Sequence, residues 1–278
     1  MPNYRIAVVE DAIAVLDAFL QVDGALSLVD LTHHTGLSKN KVFRILATLE
    51  AHRLVRRDGH GKYLLGLRFL EFGERARSRD ILIQAASSVM DWLCDETQET
   101  IFLGIIDGLE TLVIATRQSP RSVRLTGDVG RRGPMHTGGM PKTLLAFLPD
   151  DKRKAMLDQL KLEPITPYTI TDREELEAFL EKIRQQGYVV TADDLDLGAV
   201  SIAAPIRDFT GEVIAAMSIA GPVSRFPEEV TRRYVKLILE ATRRVSVALG
   251  YRPETSSQGL SVSDGGHDPD PDHLSVAA

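Results

Sequence analysis

The sequence predicts two domains: an all-α winged helix-turn-helix at the N-terminus and a larger α+β domain after it, joined by a linker helix. Three observations predict this. A short helix turns through a glycine into a basic helix; a basic hairpin follows at once; and beyond residue 97 strands come in hairpins with helices between them. A length of 278 residues suits two domains, and 44% hydrophobic with 26% charged residues is an ordinary globular composition that excludes a wholly disordered chain. We place the domains at residues 4–67, 68–96 (linker helix and start of the next domain), 97–250, and 251–278 as a disordered acidic tail.

Ile13, Leu16 and Leu20 recur at helical spacing beside Ala12, Val15 and Phe19, which predicts a first helix over Ala7 to Gln21. Asp23-Gly24 ends it. Ser27, with Asp30 three positions on, reads as a capping-box variant opening a short second helix that stops at Gly36. Ser38 is the N-cap of a third helix reaching about His52. Leu54 to Arg57 and Lys62 to Leu65, joined through Asp58-Gly59-His60-Gly61, read as a short hairpin. Arg68 to Glu96 reads as one long helical pattern carrying Leu70, Ile81, Leu82, Val89 and Leu93.

In the α+β domain, Thr100 to Ile106 and Thr111 to Thr116 flank the turn Asp107-Gly108. Ser122 to Thr126 is expected to be a short strand, followed by a glycine-rich stretch from Gly127 to Gly139 and a helix stopped by Pro149. Thr171 with Glu174 is expected to cap a helix ending at Gly187. Tyr188 to Val190, Val200 to Ile206 and Glu212 to Ile219 read as strands. Phe226 to Leu249 reads as a closing amphipathic helix. The tail holds Glu254, Asp264, Asp268, Asp270 and Asp272 against Arg252 alone, which is four of the six net negative charges.

The basic island lies elsewhere. Taking 100° per residue along the third helix, Val42, Ile45, Leu46 and Leu49 form one apolar stripe. The opposite face presents Asn40, Arg44, Ala47 and Ala51, flanked by Lys39, Lys41 and Thr48. Arg pairs with guanine O6 and N7, Asn with adenine N6 and N7, and Ala permits close approach to the groove floor. Ser38 and the two lysines at the helix start, with Arg56, Arg57, His60 and Lys62 of the hairpin, suit phosphate contact. Double-stranded DNA is therefore the expected partner.

Several other chemistries are not supported. Cys94, the single cysteine, excludes a disulfide framework and a cysteine-rich zinc site, and beside Trp92 in an apolar helix it reads as buried and inert. His33-His34 sit on adjacent helix positions that share no face, and His267 and His273 fall in the tail. His136 and Ser218 lie in no nucleophile motif, and there is no phosphate-binding or dinucleotide fingerprint. No catalytic residue, metal or cofactor is expected. Charge interrupts every apolar run within a turn or two, so no membrane span is expected. Met1 to Glu10 lacks a basic-then-apolar leader, which predicts a reducing, cytoplasmic setting.

Val9 to Leu16, Leu37 to Leu49 and Lys62-Tyr63-Leu64-Leu65-Gly66 resemble the IclR family of regulators. The likeness continues through Gly130 to Thr137, Lys142 to Ala146, Gly187-Tyr188, Gly198 to Ile206 and Ser218 to Pro222, so that it spans roughly Arg5 to Gly250. Arg53 stands where that pattern has a glycine before the wing, and Met140-Pro141 replaces a pair of small residues. The resemblance implies a GAF/PAS-like C-terminal domain binding a small organic effector, a carboxylate or an aromatic. It further implies a transcriptional regulator of a catabolic operon, repressor or activator, acting as a dimer or dimer of dimers on a pseudo-palindromic operator.

Carried over by motif, the effector pocket comprises Leu125, Gly139, Met140, Asp193, Asp194, Ser201, Ser218 and Ala220. Gly138-Gly139 precedes a helix whose free N–H groups and dipole favour an anion, and Ser201 and Ser218 supply hydroxyls on neighbouring strands. Taken alone, the glycines read equally as a loop, the serines as small strand residues, and Asp193, Asp194 and Asp196 as a solvated acidic loop. Two alternatives to the regulator are a metabolite-binding enzyme and a sensor module, in either of which the N-terminal domain mediates association rather than DNA binding.

Overall fold

A computed structural model of the chain describes residues 4–252, so most of the tail assigned to 251–278 lies outside the described residues. The chain divides into two compact units at Asp80/Ile81.

In the first unit, α1 (Ala7–Gln21), α2 (Leu28–Thr35) and α3 (Lys39–Ala51) are followed by β1 (Val55–Arg57), β2 (Tyr63–Leu65) and α4 (Arg68–Arg79). α1 has the expected bounds, and the structure shows which of its faces is buried. Val15, Ala18 and Phe19 are buried, while Ile13 and Leu20 are exposed. Apolar residues on both sides of one helix leave the buried side to tertiary packing. Here it packs against Leu31 of α2 and Val42, Ile45, Leu46 and Leu49 of α3.

Ser27 and Asp30 form the reciprocal cap: Asp30 N–H donates to Ser27 Oγ at 3.1 Å and Ser27 N–H to Asp30 Oδ2 at 2.8 Å. The Ser27 backbone bond holds the Asp30 carboxyl below its ordinary value of 3.8. Its stabilisation is therefore present above that value and lost as pH falls through the lower folded one. Ser27→Ala is expected to cost about 1 kcal/mol, read as faster hydrogen exchange at the Asp30 amide. An unchanged exchange rate would remove the cap from the account of α2.

β1 and β2 pair antiparallel with Val55 opposite Leu65, and Leu26 and Tyr63 exchange backbone hydrogen bonds at 2.9 and 2.7 Å, adding an isolated bridge to the hairpin. Asp58 closes the turn by accepting the N–H groups of His60 and Lys62 at 2.8 and 2.9 Å. Arg53 adopts a left-handed φ of 59°.

The single helix expected over 68–96 is two helices. Asp80 has extended backbone (φ −80°, ψ 114°), ending α4 before α5 (Ile81–Thr97) begins. No residue of α4 is buried, whereas α5 buries Leu82, Ala86, Val89, Met90 and Leu93. The apolar period resumes only after the charged run Glu74 to Asp80.

The second unit is a six-stranded antiparallel sheet in the order β5-β4-β3-β8-β7-β6, forming a half-barrel. Its strands are β3 (Thr100–Asp107), β4 (Glu110–Arg117), β5 (Arg132–Pro134), β6 (Val189–Ala192), β7 (Ala199–Arg207) and β8 (Val213–Pro222). Its other helices are α6 (Gly139–Ala146), α7 (Asp150–Leu157), α8 (Arg173–Gln186) and α9 (Glu228–Ala248). Period-two alternation divides the core. Val200, Ile202, Ala204, Ile206, Met217 and Ile219 pack with α5 and α9, while Ala203 and Ala216 pack with α6 and α8.

Other expectations shift here. Residues 122–126 form no strand, because side chains from elsewhere take their carbonyls: Thr100 Oγ1 donates to Leu125 O at 2.7 Å and Arg225 to Val123 O at 3.0 Å. The glycine-rich stretch contains β5. The cap of α8 is Asp172, accepting from Glu175 N–H at 2.9 Å, one residue beyond the expected Thr171 and Glu174.

Candidate nucleic-acid interface and ligand cavity

The apolar stripe of α3 is buried, so geometry alone turns Lys39, Asn40, Lys41, Arg44, Ala47 and Thr48 to the surface. Ser38 is the N-cap residue, yet its hydroxyl makes no capping bond. Lys39, Asn40, Arg44 and Arg56 form no side-chain hydrogen bond or ion pair among the described residues.

The other candidates are partly engaged. Lys41 Nζ lies 2.5 Å from Asp11 Oδ2 on α1. Arg57 lies 3.3 Å from Glu50 and its guanidinium stacks over Tyr63, 4.9 Å from the ring centroid. Thr48 Oγ1 donates to Arg44 O at 2.9 Å, which leaves its methyl as the outward feature. His60 and Lys62 are exposed on the hairpin turn and at its exit, where the charge of Lys62 acts on both Asp30 and Asp58. Phe43, 48% exposed beside Arg44, was not singled out by the sequence. An apolar residue on the flank of a polar face breaks no periodicity.

In the second unit a cavity of about 140 Å³ lies between the sheet and the start of α6. Leu125, Gly139, Met140, Asp194, Ser201, Ser218 and Ala220 all line it. Asp193 does not. It takes a left-handed φ of 58°, its carboxylate accepts Gly198 N–H at 2.5 Å, and its carbonyl accepts Thr166 Oγ1 at 2.6 Å, so it shapes the β6–β7 loop.

The serines sit on the cavity face by register. Ser201 pairs with Thr191 on β6 and with Ala220 on β8, and Ser218 pairs with Ala203 and Phe102. Their hydroxyls have no hydrogen-bond partner among the described residues. Gly139 passes close above: a Cβ there would stand 2.8 Å from Ser201 Oγ.

One amide at the start of α6 is engaged within the protein: the N–H of Gly138, the N-cap residue, donates to Asp194 Oδ2 at 2.5 Å. The same oxygen lies 2.8 Å from Lys142 Nζ, in a pair whose side chains are 6% and 2% exposed. Burial pushes the Lys142 amine below its ordinary value, against the opposing pull of Asp194. Asp194 Oδ1 is buried with no partner.

Sequence reasoning missed Lys142, whose partner is 52 residues away, and also Phe102, Thr111, Val113, Thr126, Arg131, Arg132, Thr191 and Leu195 of the lining. Phe102 and Thr191 were within reach from strand alternation. The arginines lie at β5, hidden in the glycine-rich stretch. Arg132 is bound to Asp107 and Glu110, while Arg131 makes one bond, to Thr126 O at 3.4 Å.

Comparison with known proteins covers both units. Residues 8–59 match the family described as "IclR helix-turn-helix domain", and residues 75–247 match "Bacterial transcriptional regulator IclR C-terminal". The chain is 34% identical over 251 residues to the HTH-type transcriptional regulator KipR of Bacillus subtilis, covering 90% of this chain and 100% of that one. Among solved structures it is similar to the IclR of Thermotoga maritima (TM-score 0.73, 27% identity, 89% and 100% of the two chains). It is also similar to an IclR homologue from Microbacterium hydrocarbonoxydans complexed with 4-hydroxybenzoate (TM-score 0.78, 25% identity, 87% and 98%). Among the described residues no helix is long and apolar enough to cross a membrane.

Proposed function

Because the chain belongs to the IclR family of bacterial transcriptional regulators, we propose that α3 enters the major groove of DNA and that Arg44 and Asn40 read base edges there. The observation that carries this is the surface face of α3, on which Lys39, Asn40 and Arg44 have no internal partner to give up on binding. Arg56, Arg57, His60 and Lys62 contact phosphates, which adds affinity without sequence information. Phe43 adds an apolar surface beside Arg44 that suits a thymine methyl.

The cavity supports control by a small organic effector bound within the second unit. An aromatic of the kind in the Microbacterium hydrocarbonoxydans complex suits its apolar lining. The regulator acts as a dimer or dimer of dimers. Leu70 and Phe72 on α4, with Ile13 and Leu20 on α1, form exposed apolar surface that a second copy would cover. Such a dimer reads a pseudo-palindrome whose half-sites lie about 34 Å apart or a multiple of it. Effector and DNA affinities are then reciprocally linked. On this reading the chain acts in the bacterial cytoplasm, at a catabolic operon, as a regulator rather than an enzyme.

Arg44→Ala is expected to weaken binding to a selected operator by about 1–3 kcal/mol and to relax preference at one base position. Gel shifts on operator variants read this directly. An unchanged preference would remove Arg44 from base reading, and no specific complex for the unsubstituted protein would overturn the DNA assignment.

A further inference from the structure

Met140 lines the cavity beside Gly139, which itself sits over Ser201. The Met140 side chain lies so close over Gly104 that a Cβ at Gly104 would stand 2.6 Å from both Sδ and Cε. Gly104 does not reach the cavity surface, whereas Met140, Phe102 and Val113 do, so the thioether screens a bare stretch of β3 from the ligand space. Around it the packing is apolar, with Val113, Leu144 and Phe102 in the same cluster. Polar character enters the lining at Ser201 and at Ser218, the cross-strand neighbour of Phe102; neither serine hydroxyl has a hydrogen-bond partner among the described residues.

The polar and apolar parts of the lining also differ in stiffness. The serines are fixed in paired strands. The Met140 backbone is held in α6, where every residue from Gly139 to Ala146 is buried, but its side chain is unbranched and adaptable. A ligand can therefore anchor a polar head at the serines and must end where the thioether begins.

We propose that Met140 is a plug that sets the length of ligand the cavity accepts, and that Gly104 is the recess in which the plug rests. This deepens the effector-site reading and rests on it. The ligand class is a compact amphiphile, with its head at Ser201 and Ser218 and its apolar tail against Met140. Removing Cγ, Sδ and Cε at position 140 opens an apolar space of the kind that stays dry and takes up hydrocarbon. Adding a methyl at Gly104 acts in the opposite sense, because it pushes the flexible thioether into the ligand space.

The test uses the full chain and the variants Met140→Ala, Met140→Leu and Gly104→Ala. Each is titrated calorimetrically with straight-chain carboxylates from propanoate to decanoate and with alcohols from propanol to decanol. Met140→Ala is expected to move the tightest-binding member longer by about two to three methylenes, and to bind that member about tenfold more tightly than the unsubstituted chain does. Met140→Leu, of similar volume, leaves the optimum in place. Gly104→Ala moves it to shorter members and decides the question by itself if Met140→Ala does not fold. Ligand binding with an optimum that neither variant shifts overturns the plug and leaves the effector site standing. If the unsubstituted chain binds operator DNA but no member of either series, the effector reading falls and the plug with it.

Discussion

Replacing Lys142 by methionine lowers the stability of the C-terminal unit by about 3–5 kcal/mol. Lys142 is 1% exposed and its ammonium is 2.8 Å from Asp194 Oδ2. Its removal leaves a carboxylate in the interior whose remaining donor is the Gly138 N–H. The loss extends to the loop before α8, because Thr169 Oγ1 donates to the Asp194 carbonyl at 2.9 Å. Removing both charges behaves differently. Lys142→Met with Asp194→Leu exchanges two desolvated ions for apolar volume, so it recovers most of the loss.

Trp92, the single tryptophan, lies in α5, so its fluorescence during urea unfolding reports this unit alone. A loss below about 1 kcal/mol for the single variant would show that the pair is not structural. The pH dependence has a definite sign. The folded amine is held below 10.5 by burial, so between its folded value and 10.5 the unfolded chain binds more protons and stability rises with pH. The double variant lacks that contribution.

Gly66→Ala should disrupt the wing at a cost of about 3 kcal/mol or more. A Cβ at position 66 would stand 2.0 Å from Arg53 O and 2.8 Å from Arg53 C, both backbone atoms with no rotamer to escape into. The two segments are fastened there by Gly66 N–H donating to Leu54 O at 2.8 Å, and Arg53 already holds a left-handed φ to bring its carbonyl to that place. The expected readout is lost hydrogen-exchange protection at the Leu26 and Tyr63 amides, together with weaker DNA binding. Protection equal to that of the unsubstituted chain would rule out the clash.

Features governed by near neighbours in sequence were legible. The cap of α2 needs only Ser27 and Asp30, and the apolar stripe of α3 needs only its own period. Even so, local signals can tie: Thr171 and Asp172 each stand three residues before a glutamate, and only Asp172 caps α8. Features set by distant partners were not legible. Residues 122–126 have strand-like composition but spend their carbonyls on Thr100 and Arg225. Lys142 resembles a surface lysine until Asp194 is brought beside it. The linker divides at Asp80, where two helices belonging to separate units meet. Motif likeness placed Leu125, Gly139, Met140, Asp194, Ser201, Ser218 and Ala220 on the cavity, while the rest of the lining and the bond from Gly138 to Asp194 emerged only from coordinates.

The alternation along β7 and β8 bears on how such a protein can diverge. Ser201 and Ser218 face the cavity, while Ile202, Met217 and Ile219, beside them in sequence, hold the sheet to α5 and α9. Substitutions at Ser201 and Ser218 alter the cavity surface, whereas Ala203 and Ala216 on the same face and the residues of the other parity are core. A lineage carrying this sheet can therefore reshape its cavity at two serine positions, with the supporting core inherited intact.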